Sequence, residues 1–187
     1  MPRLRAVAVF CGSREGNDPG FRIAATALGR GLALMGIRLV YGGGGIGLMR
    51  ALADGALGAG GAVTGVMPAF LRRLEVAHPG VPDLITTDSM HRRKQIMADL
   101  ADAFVALPGA LGTLDETVEI LTWRQLGLHA KPVLACDIAG SAAPLVAAIE
   151  TAIAQGFAGP ELRGMLEVTE GVPATLARLA EIAASGL

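Results

Sequence analysis

The chain has 187 residues, a formal net charge of −1, 52% hydrophobic residues and 18% charged ones. That is enough apolar chain for one sizeable core. The near-neutral balance argues against a protein that holds nucleic acid through a strongly basic surface, and it leaves room for a compact anionic ligand. Aromatic residues make up only 4%, so the core is expected to be aliphatic strands covered by Ala- and Leu-rich helices.

The first apolar run, Arg5–Phe10, is too short to span a membrane and passes straight into Gly, Ser and charged residues. It reads as a strand, and with no targeting segment evident the expected location is cytoplasmic. Further strands are predicted at Ile37–Tyr41, Ala62–Met67, Asp83–Thr87, Asp102–Leu107, Pro132–Cys136 and Met165–Thr169, with helix-length segments between them. Runs such as VAVF and AFVAL are apolar without alternation, which implies burial on both faces. The expected fold is therefore α/β: one domain over residues 1–187, a doubly wound, mostly parallel Rossmann-like sheet with helices on both faces.

In such a sheet ligands bind beyond the carboxyl ends of the strands. Three turns there are unusual: CGSREGND after the first strand, GGGGIGLMR after the second and PGALGTLDE after the fifth. Gly42 to Gly45 and Gly47 lack Cβ atoms and precede a helical pattern, so backbone N–H groups can approach an anion there; the alternative is close packing of helix on sheet. Gly42, Gly44 and Gly47 spell G-x-G-x-x-G, but the motif follows the second strand. The next strand ends at Met67–Pro68 without the acid that would hold a ribose, which argues against NAD.

The fifth-strand turn repeats the device with chemistry attached. Gly109 and Gly112 open it, Thr113 supplies a hydroxyl at the helix start and Glu116 follows one turn in. Leu111, Leu114, Val118 and Leu121 are expected to form the inward stripe of this helix, with Glu116, Ile120 and Trp123 on the opposite side. A helix apolar on both sides needs two partners, so a homodimer through the Ile120/Trp123 side is expected. In DSMHRRKQIM, Asp88 or Ser89 is the expected N-cap. Met90, Met97 and Leu100 mark the inward stripe, which places Arg93 and Lys94 beside it and Arg92 in solvent.

Other chemistries find less support. Cys11 and Cys136 have no metal-ligand spacing and read as small buried residues. His78, His91 and His129 form no metal pattern. Ser13 has no evident base partner and no G-x-S-x-G elbow is present. Neither a metal nor a cofactor is expected.

MHRRK at Met90–Lys94 and PGALGTLDE at Pro108–Glu116 resemble the MHxRK and PGGxGTxxE motifs of the Lonely Guy family, cytokinin riboside 5'-monophosphate phosphoribohydrolases. FCGS at Phe10–Ser13, YGGGGIGLM at Tyr41–Met49 and TWRQLGLHAKP at Thr122–Pro132 follow in the order and spacing of that family. The resemblance implies a homodimeric Rossmann-like enzyme that releases free base and ribose 5-phosphate from an N6-modified adenosine 5'-monophosphate. It implies Arg93 and Glu116 as catalytic residues and Lys94, Gly109, Leu111, Gly112, Thr113 and Thr122 as nucleotide contacts. Gly12, Ser13, Gly43, Gly44, Asp83, Met90 and Ala110 complete the candidate binding set. Two positions depart from the family pattern: Ala110 replaces the second Gly of PGGxGT, where a methyl group resists positive φ, and Asp83 stands where relatives often carry Glu.

Relatives of this kind are often labelled lysine decarboxylases, a reaction that ordinarily needs a lysine for a pyridoxal phosphate Schiff base. Lys94 and Lys131 are the only lysines, and neither position suits it. A non-catalytic nucleotide or pterin-cofactor carrier would need the glycine loops but no carboxylate.

Overall fold

A computed structural model describes residues 4–73 and 76–185. Among them are seven strands: β1 (Ala6–Phe10), β2 (Arg38–Tyr41), β3 (Val63–Pro68), β4 (Asp83–Thr87), β5 (Ala103–Ala106), β6 (Val133–Asp137) and β7 (Glu167–Glu170). All pair in parallel, in the order β4-β3-β2-β1-β5-β6-β7. Each expected strand is present. The largest difference is at β7, because Met165 ends a 3-10 turn (Pro160–Met165) instead of opening the strand.

The described residues also form six α-helices, five of which link strands while the last follows β7: α1 (Pro19–Leu34), α2 (Gly47–Gly58), α3 (Met90–Leu100), α4 (Leu111–Gln125), α5 (Ala143–Ala154) and α6 (Gly171–Ser185). The unbroken apolar runs of the strands supply two cores. Val7, Val9, Leu39, Tyr41 and Val105 pack with Leu28, Leu52 and Leu179 of α1, α2 and α6 on one face. Ala8, Phe10, Val40, Val66 and Phe104 pack with Met97, Ile120 and Leu121 of α3 and α4 on the other. Both cysteines are buried, as their apolar settings predict.

Tyr41 ends β2 inside the first core. Its ring is fully buried, and its hydroxyl has no hydrogen-bond partner among the described residues. Burial holds this phenol well above the usual tyrosine range, with Cys11 and Asp54 adding to the effect.

The chain reverses its direction of winding between β1 and β5: β2 lies on one side of this pair and β6 on the other. The turns after β1 and β5 therefore diverge over a gap at the carboxyl edge, where such sheets bind ligands. A bond from Gly12 N to Pro108 O (3.0 Å) ties the two turns at its base. No described helix is long and apolar enough to cross a membrane.

Candidate functional site

The gap holds a crevice of about 450 Å3 lined by Gly12, Ser13, Gly42, Arg93, Gly112, Thr113 and Glu116, together with Val9, Cys11, Met49 and Ala110. It borders a broader cleft of about 1010 Å3, lined among others by Ser13, Arg14, Phe21, Gly109 and Ala110.

Arg93 reaches it from α3. Ser89 caps that helix by accepting from Arg92 N (3.2 Å), and the helical phase turns Arg93, Lys94 and Met97 inward while Arg92 stays exposed. Leu100, expected on the same stripe, is instead 40% exposed at the helix end. The Arg93 guanidinium lies across the ends of two strands. Its Nε donates to Val66 O (2.9 Å) and its Nη2 to Gly42 O (2.8 Å), leaving Nη1 3.7 Å from Glu116 Oε1. Met90 supplies a sulfur contact to the same Nη1. Two fixed carbonyls thus aim a permanent cation at the carboxylate.

Glu116 arrives on α4, whose phase is opposite to the expected one. Thr113, Glu116, Thr117, Ile120 and Leu121 face the sheet, whereas Leu111, Leu114 and Val118 are 82%, 41% and 46% exposed. Ile120 therefore belongs to this chain's own core and Trp123 packs partly against it. The inward face is polar near the crevice, where Thr117 donates back to Thr113 O (2.7 Å), and apolar farther along the helix.

The first turn of α4 offers an anion site. Ala110 provides no side-chain cap, and the first intrahelical bond runs from Leu114 N to Ala110 O (3.1 Å). The N–H groups of Leu111, Gly112 and Thr113 precede it, at the positive end of the helix dipole. A Cβ on Gly112 would meet open space. Ala110 has φ −101° and ψ −153°, extended backbone open to any residue, so its methyl group imposes no strain and the expected distortion of this loop does not occur.

The glycine-rich turn after β2 is built differently. Of Gly42 to Gly47 only Gly42 lines the crevice, and a Cβ there would fall on the Arg93 guanidinium. Gly47, at φ +58°, lies against the backbone of Ser13. Gly43 O accepts from His78 N (3.0 Å) and Gly45 N donates to Val76 O (2.6 Å), while Gly44 packs on Met49. The start of α2 is also occupied, with Leu48 and Met49 N–H donating to Gly12 O at 3.1 and 3.3 Å. These glycines serve close packing around Arg93, and the structure does not bring Gly43 and Gly44 to the crevice wall.

Three other candidates also lie away from it. Asp83 opens β4 opposite Thr64, at the amino end of the sheet, where its carboxylate accepts from Thr64 Oγ1 (2.6 Å) and sits 3.6 Å from Arg38 Nη1. Thr122 is exposed and donates to Val118 O (2.8 Å). Lys94 is buried, but its Nζ lies 3.0 Å from both Asp115 Oδ2 and Glu119 Oε2. Burial opposes its charge, yet the hydrogen bond to Asp115 and the close ion pair with Glu119 outweigh that and hold the ammonium above the usual lysine range. Gly109 and Leu111 flank the helix start, Gly109 in the adjoining cleft. Val9, Cys11 and Met49 line the crevice without belonging to the candidate binding set; from the sequence Cys11 reads as a buried core residue, although it stands in FCGS as Met49 does in YGGGGIGLM.

A family model described as "Possible lysine decarboxylase" matches residues 49–179. The chain is 41% identical to the cytokinin riboside 5'-monophosphate phosphoribohydrolase of Rhodococcoides fascians, across 95% of this chain and 90% of that protein. It is 43% identical to a probable enzyme of that name from Oryza sativa subsp. japonica (96% and 79% covered) and 38% identical to one from Arabidopsis thaliana (96% and 84%). Among solved structures, a molybdenum cofactor carrier protein from Chlamydomonas reinhardtii superposes with a TM-score of 0.74 at 22% identity, over 97% of this chain and 99% of that one. That likeness concerns the fold. The motifs that build the crevice lie within alignments spanning nearly the whole chain at 38% to 43% identity, and the chain accordingly belongs to the family of the cytokinin riboside 5'-monophosphate phosphoribohydrolases.

Proposed function

We propose that the protein hydrolyses the N-glycosidic bond of adenosine 5'-monophosphates, N6-modified ones included, to free base and ribose 5-phosphate. The observation that carries this reading is the buried Glu116–Arg93 pair, 3.7 Å apart, in a crevice that also contains the uncapped start of α4. The 5'-phosphate takes the N–H groups of Gly112 and Thr113 and the Ser13 hydroxyl. Breaking C1'–N9 sends the bond's electron pair out with the base and leaves oxocarbenium character on the ribose, which the Glu116 carboxylate stabilises. Water adds to C1' and gives up one proton to Glu116, and that same proton passes on to a nitrogen of the departing base, which returns Glu116 to its carboxylate form. Arg93, a permanent guanidinium cation, holds the carboxylate and the leaving base in place.

Decarboxylation through pyridoxal phosphate does not fit these residues. Lys94 is committed to two carboxylates, Lys131 Nζ donates to Ala98 O (2.7 Å), and neither lines the crevice. A carrier would have no use for a carboxylate buried against arginine at the ligand. Incubation with AMP and N6-isopentenyl-AMP, followed by chromatography of free base, tests the reading; tight binding without base release would replace it with the carrier.

The enzyme is further read as a cytoplasmic homodimer without a nucleic-acid partner. What supports the dimer is the exposed Leu111/Leu114/Val118 stripe on α4, an apolar surface that a symmetric copy of the same helix would cover.

A further inference from the structure

Two adjacent cations of α3 engage three carboxylates of α4. Arg93 faces Glu116, while Lys94 binds Asp115 and Glu119, the residues one before and three after it. Asp115 and Glu119 are four apart and so share one side of α4, and a single ammonium with three donors can bracket both. The Lys94 side chain is 9% exposed and that of Glu119 22%, so this pair lies largely between the helices, with Asp115, 57% exposed, at its outer edge. It is also absent from the crevice wall.

Resting on the hydrolase reading above, we propose that Lys94 is a positioning residue: it sets the roll of α4 against α3 so that Glu116 meets Arg93, and it does not touch the nucleotide. α4 needs such a fixture. Its first turn has no side-chain cap, and its apolar anchors Ile120 and Leu121 come after Glu116. A roll of about 20° about an axis some 5 Å away would move the carboxylate by about 2 Å, and misplacement by ~1 Å can cost on the order of a hundredfold in rate.

The test uses Lys94→Met, Lys94→Arg, the double variant Asp115→Asn/Glu119→Gln and the triple variant that adds Lys94→Met to it, each checked by thermal melting. Lys94→Met should lower kcat on AMP at least about tenfold while KM and the calorimetric Kd for AMP stay within about twofold. Lys94→Arg should retain most activity. The double variant should reproduce the loss, and the triple should be no worse than either, because all three remove the same junction. A large rise in Kd for Lys94→Met that persists in the Asp115→Asn/Glu119→Gln background would make Lys94 a nucleotide contact and overturn the proposal. So would unchanged kcat in a folded Lys94→Met, or additive losses in the triple. If Lys94→Met does not fold, the triple variant, which leaves neither the cation nor its two carboxylates stranded, supplies the same comparison against wild type. The Kd arm needs no turnover, so it reads independently of whether the wild type releases base, which is what decides the hydrolase reading.

Discussion

Glu116 and Arg93 have unequal freedom. The guanidinium is pinned by two carbonyls, whereas the carboxylate is carried on a helix that has to be held in register. Glu116→Gln keeps the shape and removes the charge, so it should bind AMP yet lose roughly two or more orders of magnitude in kcat, as when a transition-state electrostatic group is removed; a single-turnover base-release assay measures this. Arg93→Ala should abolish turnover and also lower the melting temperature, because it takes the guanidinium from Val66 O and Gly42 O and breaks its pair with Glu116; breaking such a buried pair costs about 3–5 kcal/mol. Arg92→Ala, on the exposed side of the same turn, should match wild type in both. Ala110→Gly should change AMP affinity little, since the backbone there already sits where either residue is comfortable. The Arg93/Arg92 distinction was legible from the helical phase of MHRRK alone. The use of Lys94 was not, because a sequence does not tell whether an inward cation meets a ligand or another helix. Asp83 enters the candidate set on the family resemblance, although the expected strand Asp83–Thr87 already sets it at the amino end, away from the ligand edge.

α4 is the element that sequence periodicity misread. Leu111, Leu114 and Val118 form a textual stripe, but the sheet-facing side carries Thr113, Glu116 and Thr117 because it borders the crevice, and polarity there serves the site. Only Leu121 of the expected inward stripe is buried. The correction moves the expected dimer contact to the other side of the helix. Leu114→Glu or Val118→Glu should place charge in an apolar interface and yield a folded monomer in sedimentation velocity, whereas Ile120→Glu should unfold the chain by burying an unpaired carboxylate. An unchanged dimer in both exposed-side variants would remove this stripe from the interface. The glycine turn after β2 was legible as special but not in what it accommodates: a neighbouring arginine and the backbone of Ser13 occupy the space an anion was expected to take.

The sheet as a whole was readable because parallel strands buried on both faces carry unbroken apolar runs; the turns after the first and fifth strands stood out by composition, but that β1 and β5 are neighbours is given only by the strand order of the folded sheet. Its pH response comes from groups that bridge elements. His129 donates from Nε2 to Ile120 O (3.0 Å) and accepts at Nδ1 from Lys131 N (3.1 Å), so the neutral ring is fully used. Burial pulls its pKa below the usual histidine value despite the bond to Ile120 O, and Lys131 and Arg124 add to the depression. The unfolded chain therefore takes up the proton first, and this contribution to stability, present above about pH 6.5, is lost as the pH falls. Melting temperatures measured from neutral to mildly acidic pH should fall less in His129→Gln than in wild type.

At the alkaline end the relevant group is Tyr41, the chain's single tyrosine. An unfolded phenol ionises near pH ~10, and the folded one resists, so above that pH the unfolded state holds fewer protons and stability declines. Tyrosinate absorbs in the near ultraviolet where the neutral ring does not, which makes this one side chain an optical counter of opened molecules. After a jump to about pH 11, the absorbance should rise at the rate at which far-ultraviolet circular dichroism decays; a rise completed within the mixing time would mean that hydroxide reaches the ring in the native protein.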